Sequence, residues 1–186
     1  MTEPSKRARA IDAGARAFMQ HGFARTTMGV IAESAAMSRP ALYLLFKNKE
    51  QVLEAVVDTW TEQTLTKMSA AIAELPNLAD KLREICAMWS VASFERSQNN
   101  PQLRDLVGHP AYEKGYARFM AFIAHILDES SPSGAKPISC DELARGLVLG
   151  IRGFKVSAAS MDDLLRLIDV QVRLIEAYLQ KPVERP

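Results

Sequence analysis

Between Gly22 and Glu50 the apolar residues recur at helical spacing in two short blocks, divided by a turn of only two residues. Met28, Ile31, Ala32 and Ala35 share one face of the first block. Ala36 and Met37 form the turn. Ser38 is then a strong N-cap, and Pro40 falls in the first turn of the second block, where its missing N–H costs nothing. Leu42 and Phe46, four apart, point inward. A longer segment precedes this pair, in which Ala8, Ile11, Ala15 and Phe18 share a face from about Lys6 to His21. Gly22 stands where a helix ends, Phe23 can fold back onto that face, and Thr26 and Thr27 open the next helix. The pattern predicts a helix-turn-helix at about residues 26–46. Its second helix leaves Arg39, Pro40, Ala41 and Leu44 on the outside.

Such a corner serves to hold a short helix in a major groove, so charge matters next. Residues 1–50 carry eight Lys and Arg against four Asp and Glu, a net +4, whereas the rest carries 15 against 18, a net −3. That asymmetry suits a polyanion-binding end followed by a body of different purpose. From residue 49 onward helices are expected near 49–73, 78–98, 101–128, 139–159 and 161–180, with Pro110 breaking or kinking the third. Breaks fall at 75–77, 99–101 and 130–134. The chain is thus expected to be all-α: residues 1–50 a three-helix DNA-binding domain, residues 51–186 a helical effector-binding and dimerisation domain. No stretch reaches the ~20 apolar residues of a membrane span and no signal peptide is visible. A cytoplasmic protein without membrane attachment is expected. Cys86 and Cys140 form no CxxC pair and no histidine cluster joins them, so neither metal nor cofactor is expected.

The stretch from Gly22 through Arg25-Thr26-Thr27, Ile31-Ala32, Ser38, Leu42-Tyr43, Phe46 and Lys47-Asn48-Lys49-Glu50 resembles the DNA-binding segment of the tetracycline-repressor (TetR) family. The resemblance covers about residues 6–55; beyond it the chain matches only in being helical and of suitable length. It implies that Thr27 caps the second helix and touches a phosphate, as does the Tyr43 hydroxyl, and that Lys49 contacts the DNA backbone. It makes Ser38, Arg39, Pro40, Ala41 and Leu44 the start and outer face of the recognition helix, with Arg39 and Pro40 nearest the base edges. Lys6, Arg7 and Arg9 would form a basic arm, solvated and disordered until DNA is bound. Two positions depart from the family: Ala36 where glycine is common, and Leu45 where His or Tyr is common.

In the body, Trp60, Cys86, Trp89, Phe119, Phe122 and His125 are candidates to line an apolar effector pocket, with Met68, Met88, Phe94, Met120, Phe154 and His109 as further candidates. Each is equally a plain core or surface residue by its spacing. Gly146, Gly150 and Gly153 lie on one helix face, and Leu164, Leu165, Ile168, Val172, Ile175 and Leu179 form a continuous apolar stripe. Two readings are open, intramolecular core or a homodimer interface; the two-fold symmetry of palindromic operators favours the interface. The expected function is a DNA-binding repressor on duplex DNA, released by a small apolar effector. The alternatives are a helical dimerising adaptor without specific DNA binding and a helical enzyme. No catalytic triad, phosphate loop or dinucleotide fingerprint supports the enzyme.

Overall fold

The computed structural model describes residues 5–99, 109–130 and 137–181, and among these every regular element is a helix. In order they are α1 (Lys6–Arg25), α2 (Met28–Ser34), α3 (Arg39–Tyr43), α4 (Lys49–Ile72), α5 (Leu78–Asn99), α6 (Ala111–Ser130), α7 (Cys140–Ser157) and α8 (Met161–Gln180). The expected helix start at 101 and loop residues 131–134 lie outside the described residues. Pro110 stands immediately before α6, with the Ala111 amide donating to His109 Nδ1 at 3.2 Å. No helix among the described residues is long and apolar enough to cross a membrane.

The chain divides into two compact units. The first takes in Met1–Glu62 and Arg96–Gly115, the second Gln63–Glu95 and Tyr116–Pro186. The first unit reaches beyond residue 50 because Val52, Leu53, Val56 and Val57 of α4 are buried in the same core as Phe18, Ile31 and Leu42, and Ala111 joins it. α1 and α4 approach closely: a Cβ on Gly14 would overlap Val52 Cγ1. The second unit has its own core, in which Leu82, Ile85, Phe119, Ile123, Leu127, Leu147, Ile151 and Leu164 are fully buried. α7 opens with a capping box: Ser139 Oγ accepts from the Glu142 amide at 3.2 Å, and the Glu142 carboxylate accepts from the Ser139 amide at 2.9 Å.

The corners of the first unit are made by backbone chemistry. α1 is interrupted at Gly22, whose φ of 75° and ψ of 168° suit only glycine. Thr26 does not open α2 as expected. It is buried, and its hydroxyl donates to the carbonyls of Gly22 (2.7 Å) and Ala17 (3.2 Å), tying the broken end of α1. Thr27 alone is the cap, accepting from the Val30 amide at 3.3 Å. α2 ends in a Schellman motif, with the Met37 amide donating to Ala32 O and the Ala36 amide to Glu33 O, both at 3.0 Å. Ala36 is the left-handed residue this motif requires, at φ 51°. Alanine is strained there by about 1–2 kcal/mol. Ala36→Gly is therefore expected to raise head stability by up to about 1 kcal/mol after the added freedom of the unfolded chain is subtracted. A lowered thermal midpoint would contradict this.

Candidate nucleic-acid interface

α3 is positioned from both ends and from beneath. Ser38 Oγ accepts from the Ala41 amide at 3.3 Å. Leu42 and Phe46 sink into the first core, so the opposite side of this five-residue helix faces solvent. Thr27, Ser38, Arg39 and Pro40 are exposed, Ala41 is half-buried, and Tyr43 and Leu44 are 53% and 88% exposed. Most of the residues expected to face a duplex thus share the exposed surface around α2 and α3.

The cations around this surface are differently employed from expectation. The Arg39 guanidinium lies over Gly29 at the start of α2, where a Cβ would stand 2.7 Å from Nη2. Gly29 escaped the sequence reading, since a glycine inside a short helix gives no sign of which long side chain will cover it. Lys49 Nζ donates to Phe23 O (2.8 Å) and Ala24 O (3.2 Å) and sits 4.4 Å from the Phe23 ring centroid. Expected on a phosphate, Lys49 satisfies carbonyls that the broken end of α1 leaves without helical partners. Lys6, Arg7 and Arg9 are no disordered arm. They form the first turn of α1, where Ser5 Oγ accepts from the Ala8 amide at 3.1 Å. Arg7 lies 4.5 Å above the Phe46 ring and donates to Leu45 O at 3.5 Å, bracing the end of α3. Arg16 Nη2 donates to Ser34 O at 3.2 Å.

The expected effector-pocket residues separate. Cys86, Trp89, Phe119 and Phe122 belong to the second unit, where Trp89 stacks on Phe119 with centroids 4.2 Å apart and Tyr116 meets Trp89 edge-on at 5.9 Å. Trp60 packs instead against the first core. His125 turns outward, its side chain 70% exposed and 3.3 Å from Glu129. His109, another candidate, packs against Phe23 in the first unit, ring centroids 4.6 Å apart and planes tilted by 58°. Helical periodicity does not separate a histidine at the edge of a buried stripe from one inside it. A surface groove of about 410 Å³ is lined by Leu75, Arg83, Ala87, Leu165 and Asp169 among others, and by none of the expected pocket residues. There Arg83 donates to Asp169 at 2.7 Å and to Asp80 at 2.9 Å, and the Arg83 bond holds the Asp169 carboxyl below its ordinary range.

Burial pushes the Cys86 thiol up to about 12, against a smaller opposing pull from Lys155. A thiol held protonated is no nucleophile at neutral pH. Cys86 is expected to react with thiol reagents only after denaturation; rapid labelling of native protein mapped to its peptide would contradict this. Above pH 9 the unfolded chain's thiol ionises first, so this group erodes stability from there up to about pH 12.

The expected dimer set is corrected too. Leu164, Ile168, Val172 and Ile175 are buried in their own chain's core, packed in the same cluster as Leu147, Val148 and Ile151 of α7. The intramolecular reading therefore holds for them. Gly150 is covered by Gln171, whose Oε1 would lie 2.6 Å from a Cβ there. Gly146 and Gly153 are open, with nothing within 4 Å of an added Cβ. The apolar groups left outside are Leu149 and Val156 on α7 and Leu165, Val170 and Leu174 on α8.

A family model described as bacterial regulatory proteins, tetR family, matches residues 10–56. The match runs from α1 into the first turns of α4. Among curated relatives it is 45% identical over 56 residues to the HTH-type transcriptional regulator TtgR of Pseudomonas putida, covering 30% of this chain and 27% of that protein. It is 24% identical over 183 residues to the HTH-type transcriptional repressor ComR of Escherichia coli, covering 89% and 86%. The more identical relatives are thus matched over about a third of their length or less. Among solved structures, Thermus thermophilus FadR, a TetR-family transcriptional repressor in complex with lauroyl-CoA, aligns with a TM-score of 0.70 at 19% identity, covering 97% of this chain and 98% of that one. At that identity the likeness speaks to the fold alone: a head of three helices followed by a helical domain.

Proposed function

We propose that this chain is a cytoplasmic DNA-binding transcriptional repressor of the TetR family that acts as a homodimer and is released by a small apolar effector. The observation that carries the reading is α3: a helix capped by Ser38, seated by Leu42 and Phe46, with Arg39, Pro40, Ala41, Tyr43 and Leu44 turned away from the core. Its relatives named as HTH-type regulators and repressors support it. Dimerisation is assigned to the outward face of α7 and α8, where open Gly146 and Gly153 permit close helix approach beside Leu149, Val156, Val170 and Leu174. Two heads then read two half-sites of a palindrome.

The effector is placed in the second unit, among aromatic side chains such as Trp89, Tyr116 and Phe119. Solved structures of T. thermophilus FadR with lauroyl-CoA and Bacillus subtilis FadR with stearoyl-CoA support a body of this fold taking up a long apolar group. An effector changes operator affinity to the extent that it prefers one body shape over another.

Genomic fragments selected on the full-length protein, then titrated across salt concentrations, test the reading. Affinity for the selected duplex is expected to fall steeply and linearly in log–log form with salt. Arg39→Ala is expected to cost about 1–3 kcal/mol of discrimination between sequences. Failure to enrich any duplex would remove the proposal.

A further inference from the structure

α3 presents two neighbouring stripes. Arg39 and Tyr43, four apart, carry the hydrogen-bonding groups. Pro40, Ala41 and Leu44 form the second stripe at i, i+1 and i+4, and it is wholly apolar. Ser38 lies before both stripes, at the helix cap, where its hydroxyl accepts from the Ala41 amide. Leu44 continues the helix with φ −68° and ψ −24°, and at 88% exposure it is the most exposed large apolar side chain among the described residues. Nothing among the described residues covers it. The surrounding head is basic, with a net +4 over residues 1–50, which fits a polyanion rather than an apolar protein partner.

We infer that Leu44, with Pro40 and Ala41, reads the C5-methyl groups of thymine in the major groove. The inference rests on the DNA-binding reading above and adds the base it selects. The major-groove edges of guanine, adenine and cytosine present donors and acceptors; an isobutyl group pressed on them strips water and returns no hydrogen bond. Thymine alone offers an apolar group there. Leu44 therefore favours thymine by burial and disfavours the other bases by desolvation, and the Arg39–Tyr43 stripe fixes orientation alongside.

The test uses the full-length protein and a random-sequence duplex library. Sequences bound by the unaltered protein are recovered and resynthesised with deoxyuridine replacing thymidine one position at a time, which removes a single methyl group. At least one thymine in each half-site is expected to lose about fourfold in affinity on this change, the ratio that burying one methyl group provides. Leu44→Ala, which removes no intramolecular packing, is expected to bind the two duplexes equally at that position while keeping its salt dependence. A selected duplex that tolerates deoxyuridine everywhere overturns the inference and leaves DNA binding standing. So does a Leu44→Ala protein that still prefers thymine at that position. A library from which no duplex is enriched overturns both readings.

Discussion

Leu42→Ala is expected to destabilise the first unit by about 2–5 kcal/mol, the range for emptying a well-packed core site. Leu42 is fully buried and lies in one cluster with Phe18, Ile31 and Leu53. The loss should also unseat α3, a helix of five residues that cannot persist without its anchor. DNA affinity is thus expected to fall further than the bulk stability alone requires. Calorimetric unfolding gives the first quantity, and titration of a selected duplex at fixed salt gives the second. A Leu42→Ala protein that melts and binds like its parent would show that α3 is held by something other than its inner face.

The second large effect concerns assembly. Leu174 on α8 is 66% exposed, whereas Leu164 on the same helix is fully buried. Leu174→Glu is expected to leave each chain folded and to halve the sedimenting mass at micromolar concentration. Operator affinity should then fall roughly 100-fold or more, because the second half-site is no longer engaged by a tethered head. Leu164→Glu places a carboxylate in the body core and is expected to prevent folding instead. Equal sedimentation of Leu174→Glu and the unaltered protein would move the interface elsewhere.

The head was largely legible in the sequence because its signals are local. A serine before a proline, a glycine after a helix and two apolar residues four apart each act within one or two turns. Ser38, Gly22, Leu42 and Phe46 accordingly take the places their spacing implies. What escaped depends on partners distant in sequence. Lys49 reads as a free cation until the fold brings two carbonyls from residues 23 and 24 to its ammonium. Thr26 and Thr27 are indistinguishable as neighbours, yet one faces the core and the other caps. The stripe on α8 was ambiguous for a different reason. Periodicity shows that a face is covered but not whose helix covers it, and Val170 and Leu174, four apart on α8 and exposed, lie outside the stripe. Trp60 and His125 were grouped with the body aromatics by type, and only packing separates them.

The contact of Gly14 with Val52 fixes more than a distance. The valine sits in a notch that exists at one position of α1, since the neighbouring turns carry Ala10 and Phe18. Sliding the opening turns of α4 along α1 would drive a branched side chain into a methyl on one side or a ring on the other. The two helices are therefore keyed like a bolt in its slot: a push on the first turns of α4 carries α1 along as a solid piece instead of being absorbed by slip.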